Sequence, residues 1–379
     1  MPRSVFKYTA TLLAAQQAAA ELLFASSYDG KVTTLNLTSA AGSDKPPAIK
    51  TVAAGGGCGD NPSWLRLDHP NAILYCVDEG YETGVGLSSL RANDDGTLTP
   101  LNTVKTQASP VSAVLFGVNG LAMAHYDNAF TTWNIGNPSK LRQVQKEVYN
   151  AKEPHPHQAV LDPTGKYLLV PDLGMDQIHI YTFDTKTLKF TAQAPVTVTK
   201  GYGPRHLAFA TQGGKTFAYL INELVNVIIG YEVSYSNGIQ LKQLFSQGTH
   251  GKGTTNKQGA SGSEIVVSSD NKFLIASTVG DLNHDIPAFG SGTGTIKSDP
   301  LVNYAINTDG TLTLLQEVAA GGNLPRQFSV NKAGTRVAVG LQNDHRVVVI
   351  ERDPKTGKLG KFVGYANVSG EASCVVFNE

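Results

Sequence analysis

One pattern of three short strands separated by turns recurs along the chain, and it limits the fold more than any other feature of the sequence. Its best-preserved copy, residues 155–181, reads HPHQAVLDPTGKYLLVPDLGMDQIHIY. The turn at residues 162–165 contains the Pro and Gly that a tight chain reversal requires. The runs on either side alternate or are rich in β-branched residues, as expected of half-buried strands. A chain built from such copies is predicted to be all-β.

Seven segments carry this pattern, and their spacing indicates the architecture. The segments begin near Pro62, Pro110, Pro156, Pro204, Ser263, Pro325 and Glu371. Successive starts are 48, 46, 48, 59, 62 and 46 residues apart, which suits four-stranded blades with insertions in the fifth and sixth. We therefore predict a seven-bladed β-propeller, with a six- or eight-bladed ring as the alternative.

The last copy holds a single strand, residues 373–377, and the start of the chain is predicted to complete it. Strand-like runs at residues 22–26, 31–37 and 49–53 supply the other three strands. Closing the ring in this way removes two open sheet edges, which would otherwise invite aggregation. We call this composite sheet blade one and number the others two to seven in chain order.

Composition and the N-terminus limit the location and the partners. The 379 residues carry 31 Lys+Arg and 31 Asp+Glu, so no global charge attracts nucleic acid or an anionic membrane. Residues 1–20 are predicted to be a secretory signal peptide, because Arg3 and Lys7 precede a short apolar run that ends in Ala-x-Ala. A frayed amphipathic N-terminus is the alternative, and the protein would then be cytoplasmic. Residues 21–379 are predicted to form one domain, without a membrane span.

Cysteines and sequons fit a secreted or cell-surface glycoprotein. Asn36 and Asn367 each begin an Asn-x-Ser/Thr acceptor for glycosylation. Of the three cysteines, Cys58 and Cys76 can form a disulfide, which leaves Cys374 unpaired. Three buried free thiols are the alternative.

Polar residues recur at the two positions of each blade that meet at one mouth of the channel. The first strands open with His157, Arg205, Glu264 and Arg326, and the second strands end at Tyr126, Asp172, Asn222, Glu223, Gln342 and Asn343. Guanidinium groups bind carboxylates or phosphates in pairs of hydrogen bonds, and a histidine moves protons near neutral pH. The ring therefore predicts a pocket for a small, polyanionic organic ligand, or alternatively corner residues that only satisfy neighbouring backbone groups.

Other kinds of chemistry are less favoured by the sequence. His155 and His157 flank a proline, but no further Cys or His cluster supplies a third metal ligand at clear spacing. The glycines at residues 201 and 203 precede Pro204 rather than a helix, so they are not a phosphate loop. We expect neither a metal nor a cofactor.

Three segments resemble the propeller lactonase family. They read PHQAVLDPTGKYLLVPDLGMDQIHIYTFD, GYGPRHLAFATQGGKTFAYLINEL and LPRQFSVNKAGTRVAVGLQND. That family includes the bacterial 6-phosphogluconolactonases of propeller type and fungal carboxymuconate cyclase. The resemblance spans nearly all of residues 21–379. Within the family, the sequence is most similar to the secreted fungal carboxymuconate cyclase-like members. It implies a site without metal or cofactor that interconverts a carboxylate and a lactone.

The resemblance also implies roles for particular residues. His157 and Glu223 match the family's proton-transfer groups, and Arg205 matches an arginine that holds a substrate carboxylate. Two positions depart from the pattern: residues 278–280 (Thr-Val-Gly) contain no arginine, and residues 111–112 (Val-Ser) contain no histidine. These departures put the substrates of the known members in doubt.

Two functions therefore compete. The first is a lactone hydrolase or muconate-type cyclase, with His157 and Glu223 catalytic and with Arg205, Arg326, Asn222, Asn343 and Asp172 binding substrate. The second is a secreted propeller with a degenerate site that acts in binding or adhesion. In both cases we expect a monomer. The insertions at residues 247–263 and 281–299 are expected to project from the rim, either as a lid or as irregular loops.

Overall fold

The computed structural model describes residues 21–37, 46–80 and 86–379, and the predicted signal peptide lies outside these ranges. The described residues form seven four-stranded antiparallel sheets and one two-stranded sheet. Their only helical element is a single 3₁₀ turn at His69–Asn71. The predicted seven-bladed propeller is thus confirmed.

The blades follow one another along the chain, each running from an innermost to an outermost strand. The N-terminal part of blade one consists of β1 (Glu21–Ser27), β2 (Lys31–Leu37) and β3 (Lys50–Gly55). Blade two consists of β4 (Pro62–Asp68), β5 (Ile73–Asp78), β6 (Leu87–Ala92) and β7 (Leu98–Val104). Blade three consists of β8 (Pro110–Phe116), β9 (Gly120–His125), β10 (Ala129–Asn134) and β11 (Arg142–Val148). Blade four consists of β12 (Val160–Leu161), β13 (Tyr167–Asp172), β14 (Gln177–Phe183) and β15 (Phe190–Thr197).

The remaining blades keep this order, except for the insertion in blade six. Blade five consists of β16 (Pro204–Gln212), β17 (Lys215–Asn222), β18 (Val227–Ser234) and β19 (Gln240–Gly248). Blade six begins with β20 (Ser261–Val267) and β21 (Phe273–Val279), and the inserted hairpin is β22 (His284–Pro287) and β23 (Thr295–Ser298). Blade six ends with β24 (Pro300–Ile306) and β25 (Leu312–Ala319). Blade seven consists of β26 (Pro325–Val330), β27 (Arg336–Leu341), β28 (Arg346–Arg352) and β29 (Leu359–Asn367), and β30 (Ala372–Phe377) follows it.

The ring closes as the sequence predicts. β30 pairs antiparallel with β1 and becomes the innermost strand of blade one. It also contacts β26 of blade seven and β4 of blade two, so the innermost strands of neighbouring blades touch on both sides. The Ser26 and Ser373 hydroxyls are hydrogen-bonded across this junction at 2.8 Å.

Apolar side chains fill the spaces between blades and hold the ring together. Between blades three and four, Phe130 stacks on Tyr181 with ring centroids 4.6 Å apart, and Leu168 and Phe190 belong to the same cluster. Each fully buried side chain of this size contributes about 1.5–3 kcal/mol relative to its exposed state. A rigid ring of this kind fixes the channel-facing ends of the strands, where the polar residues lie.

The two insertions pack against the blades. In the first, Asn256 donates to the carbonyls of Val225 and Asn226, and Lys257 donates to those of Gly280 and Asp281. The second contains the hairpin β22–β23, and its Phe289 packs on Phe362 and Tyr365 of β29. The hairpin therefore lies against the outer strand of blade seven.

A disulfide joins Cys58, which follows β3, to Cys76 in β5, with their Cα atoms 5.6 Å apart. It ties the end of blade one to the middle of blade two. Cys374 in β30 is a buried free thiol.

Of the two sequon asparagines, Asn367 is exposed and Asn36 is half-buried in β2. Within the described ranges, no helix has the length and apolar character to cross a membrane.

Candidate active site

A cavity of about 340 Å³ lies at the mouth of the channel where the innermost strands begin. Small-molecule sites occupy roughly 300–1,000 Å³, so the cavity has room for a compact organic ligand. Its lining is polar at most positions and comes from blades two to seven. The lining residues are Glu79, Tyr126, His157, Arg205, Glu223, Ser261, Gly262, Ser263, Val279, Leu324, Arg326 and Gln342.

β-Bulges at the start of the innermost strands direct the arginines into this cavity. In blade five, Pro204 and His206 pair with consecutive residues of β17, which leaves Arg205 outside the ladder. Blade seven repeats this arrangement, with Arg326 between Pro325 and Gln327. A bulge bends its strand and re-aims the extra side chain. The Pro-Arg pairs that the sequence singles out are therefore the bulges themselves.

Arg205 forms an ion pair with Glu223 inside the cavity. Its Nε donates to Glu223 Oε2 at 2.8 Å, and one terminal nitrogen donates to the Ser263 carbonyl at 2.8 Å. The Arg205 side chain is 6% exposed and that of Glu223 is 32% exposed. The guanidinium is thus held in place by blades five and six before any ligand binds.

Arg326 pairs with the second carboxylate of the cavity, that of Glu79, which sequence reasoning missed. A terminal nitrogen of Arg326 lies 3.4 Å from Glu79 Oε2, and the Tyr28 hydroxyl donates to the same oxygen at 2.6 Å. Arg326 also stacks over the Tyr28 ring, 5.5 Å from its centroid. Burial raises the pKa of Tyr28 above its ordinary value, which keeps its phenol protonated as a donor. Glu79 follows the second strand of blade two, the position that Glu223 occupies in blade five.

The two ion pairs balance the charge of the cavity. Its lining contains two arginines and two glutamates, Arg205 with Glu223 and Arg326 with Glu79. With His157 neutral, the formal charge of the lining is zero. This differs from the expected pocket for a polyanion, because sequence reasoning counted the arginines without the carboxylate in blade two.

His157 lies in the wall of the cavity and is 6% exposed. Its Nδ1 is 3.2 Å from His206 Nε2, and the edge of its ring meets the Tyr126 ring with centroids 5.8 Å apart. Its pKa lies well below the ordinary value, because burial and the charges of Arg205 and Arg326 disfavour the imidazolium form. A neutral imidazole in this place can accept a proton.

Three residues expected to bind substrate do not line the cavity. Asp172 is fully buried and accepts hydrogen bonds from the backbone of His155, from two further backbone amides and from His179, so it holds the corner of blade four. Asn222 donates to the carbonyls of Leu220 and Val227 within its own blade. Asn343 is exposed, and its neighbour Gln342 lines the cavity instead. These side chains satisfy backbone groups or face solvent.

Blade six differs from the expected ring in two ways. Ser263 stands at the strand opening, whereas Glu264 lies one layer deeper and is 3% exposed. Val279 lines the cavity within the segment where the resemblance leads one to expect an arginine. The wall formed by blade six is therefore uncharged.

Among the described residues, no three His, Cys, Asp or Glu side chains are grouped so as to hold a metal ion.

Comparisons with known proteins agree with this fold. The family model described as "Lactonase, 7-bladed beta-propeller" matches residues 21–377. A protein of Arthroderma benhamiae named "Probable 6-phosphogluconolactonase" is 30% identical over 314 residues, which cover 79% of this chain and 75% of that protein. The 6-phosphogluconolactonase of Formosa agariphila is 26% identical over 335 residues, 84% of this chain and 88% of the relative.

A solved structure extends the similarity to the whole ring. The periplasmic gluconolactonase of Pseudomonas aeruginosa superposes with a TM-score of 0.78 at 26% identity, covering 94% of this chain and 98% of that one. Fold, repeat number and sequence agree over nearly all of the described residues. The chain therefore belongs to the seven-bladed β-propeller lactonase family.

Proposed function

We propose that the protein hydrolyses the ring ester of a small polar lactone, with His157 as the general base. The observation that carries this proposal is the neutral His157 in a cavity that also holds two guanidinium groups, those of Arg205 and Arg326. A positioned base typically contributes about 10²–10⁴ in rate. Arginines aimed at the developing oxyanion add electrostatic stabilisation, which is strong in a site shielded from water.

The reaction uses one water and no further reagent. His157 Nε2 takes a proton from the water as its oxygen attacks the lactone carbonyl carbon. The negative charge of the tetrahedral intermediate falls on the former carbonyl oxygen, where a guanidinium stabilises it. The ring C–O bond then breaks, and His157 Nε2 returns the proton to the leaving alkoxide. The product is a hydroxy acid.

The charge balance of the cavity supports a lactone that is neutral rather than phosphorylated or polycarboxylated. Glu79 and Glu223 already pair with the two arginines. A phosphate or carboxylate group on the lactone would therefore meet no cation in the lining that lacks a carboxylate partner. Val279 also leaves the wall of blade six without the arginine that a muconate carboxylate would need. Two relatives are named as 6-phosphogluconolactonases and one as a gluconolactonase. Of these two substrate types, the balance favours the unphosphorylated sugar lactone.

We further propose that the protein works outside the cytosol. The Cys58–Cys76 disulfide supports this, because structural disulfides persist in oxidising compartments. The signal peptide predicted in residues 1–20 fits the same location, and the phosphorylated sugar lactone would be scarce there.

The test is a hydrolysis assay at constant pH, with the spontaneous rate subtracted, on glucono-δ-lactone, its 6-phosphate and a carboxymuconolactone. We expect turnover of the neutral lactone and its loss in His157→Gln, while Asn343→Ala, an exposed site outside the cavity, retains full activity. Equal rates in the wild type and His157→Gln would overturn the proposal. Saturable binding of a lactone without turnover would favour the binding function instead.

A further inference from the structure

A row of three buried side chains extends from the cavity wall into the channel. His157 Nδ1 lies 3.2 Å from His206 Nε2, and His206 Nδ1 lies 2.8 Å from Glu264 Oε1. The three residues are 6%, 1% and 3% exposed, in that order. They come from the innermost segments of blades four, five and six. Only His157 lines the proposed substrate cavity, whereas Glu264 lines a separate cavity at the other end of the channel.

The hydrogen bonds of this row determine which nitrogens carry protons. Glu264 Oε1 also accepts the backbone N–H of Ile265 at 2.9 Å. A carboxylate can only accept, so His206 Nδ1 carries a proton. Burial, the largest influence, lowers the pKa of His206 even though Glu264 raises it. Because the ring is therefore neutral, His206 Nε2 is an acceptor, and His157 Nδ1 must be the donor.

We propose that His206 and Glu264 are positioning residues that hold His157 as the neutral Nδ1–H tautomer and leave its Nε2 lone pair for the base. His206 lies at Nδ1 of His157, so Nε2 is the other ring nitrogen and the one assigned to the base. The tautomer of a histidine is set by the partner of its other ring nitrogen. The kinetic consequences rest on the proposed hydrolysis, whereas the tautomer does not.

The row also gives the displaced proton a place beside a carboxylate, that of Glu264. When Nε2 takes a proton from water, the Nδ1 proton of His157 moves to His206 Nε2, and the positive charge passes to His206. There it lies beside the Glu264 carboxylate. The charged groups that face His157 across the cavity are Glu79, Arg205, Glu223 and Arg326. A cation on His157 would be close to Arg205 and Arg326, which disfavour it, so the transfer to His206 makes His157 a more effective base.

The packing around His206 keeps the row aligned. The Trp64 ring meets the His206 ring edge to face, with centroids 5.6 Å apart, and the Trp64 Nε1 is fixed by the Ala113 carbonyl at 3.2 Å. The backbone N–H of Glu264 donates to the Ser277 hydroxyl oxygen at 2.9 Å. The His206 imidazole thus has defined partners on each side.

The deciding measurement is the tautomer of His157 in the folded wild-type protein. Two-bond ¹H–¹⁵N spectra of protein with labelled histidines distinguish the two neutral tautomers, and the His157 signals are those missing in His157→Gln. We expect the Nδ1–H pattern at neutral pH. The Nε2–H pattern, or an imidazolium, would overturn the inference. This measurement on the wild type does not depend on whether the other variants fold.

Kinetic variants then test the positioning role. In Glu264→Gln and His206→Phe, kcat for the neutral lactone should fall roughly 10- to 100-fold, as for other partners that orient a histidine, while KM changes little. The His157 tautomer should become mixed in both variants, and the exposed His69→Gln should match the wild type. Unchanged kcat and tautomer would overturn the inference. The Nδ1–H pattern in a wild type without lactone turnover would support the inference and overturn the proposed hydrolysis.

Discussion

Arg205 donates its Nε–H to Glu223 Oε2 across 2.8 Å, and both side chains line the cavity that His157 enters from the neighbouring blade. The Glu223 carboxylate is thus occupied by the guanidinium of Arg205. The pair therefore separates two residues that the sequence presents as equivalent proton-transfer groups. His157 is the proposed base, and Glu223 holds and orients Arg205.

This division predicts different costs for the two residues. His157→Ala should lower kcat by about 10²–10⁴. Glu223→Gln keeps an acceptor for Arg205 but loses the charge, so kcat/KM should fall only about 10- to 100-fold, as for a weakened charge-assisted hydrogen bond. Steady-state kinetics on the neutral lactone measure both, and a larger loss in Glu223→Gln than in His157→Ala would reverse the assignment.

The uncharged wall of blade six predicts a change of substrate preference. Val279→Arg would give the lining a third cation without a carboxylate partner. We expect the KM for a carboxylated or phosphorylated lactone to fall about 10- to 100-fold, because an added charge-assisted contact contributes about 1.5–3 kcal/mol. The KM for the neutral lactone should stay the same or rise. Val118→Arg, at a residue 88% exposed in a turn of blade three, is the matched control, and equal effects of the two variants on both substrates would refute the prediction.

The disulfide between Cys58 and Cys76 predicts redox-dependent stability. The two residues are 18 apart in the chain, and cross-linking a loop of that length stabilises a fold by about 3 kcal/mol. Urea denaturation with and without a reducing agent should show a loss of about this size. The double variant Cys58→Ser/Cys76→Ser should be insensitive to the reductant, although Cys374 remains. A reductant effect that persists in the double variant would place its origin elsewhere.

A half-buried histidine that bridges blades five and six predicts a pH-dependent term in stability. His250 lies 2.7 Å from Glu317 and 3.2 Å from Asp281, and these hydrogen-bonded carboxylates raise its pKa to about 9. Since the folded pKa is above the unfolded value, the stabilisation is fully present below about pH 6.5 and is lost as the pH rises through 9. His250→Gln should therefore be about 1–3 kcal/mol less stable than the wild type at pH 6 and nearly equal to it at pH 10.

Urea denaturation of both proteins at the two pH values measures this difference. Comparing wild type with variant at each pH cancels the titration of all other groups. His69→Gln removes an exposed histidine and should show no such pH-dependent difference. A gap between wild type and His250→Gln that is the same at pH 6 and pH 10 would contradict the prediction.

The fold could be predicted because each blade repeats the same local rules. Turn residues, strand alternation and a spacing near 48 residues recur often enough that an error in one copy does not alter the count. The composite blade one was predictable as well, since a lone final strand needs partners. The packing of the insertions was not, because contacts such as that of Phe289 with Tyr365 join distant segments without a periodic signal.

The site was harder to predict because the bulges offset side chains by one position. Arg205 and Arg326 are the bulged residues, and the sequence identifies them through the preceding proline. Blade six has no such proline, so counting from the strand start put Glu264 in the ring that Ser263 occupies. Glu79 was missed although it follows the second strand of its blade as Glu223 does. Comparing that corner across all blades would have found it.

The pairing of β30 with β1 has a consequence for the kinetics of folding. The Ser26–Ser373 hydrogen bond joins residues 347 positions apart, and contacts this distant form late because the loop must close before they stabilise anything. Until then β1 and β26 keep unpaired or uncovered edges that other chains can capture. The slow step of folding, and the period of greatest exposure to aggregation, should therefore be the docking of one six-residue strand, β30.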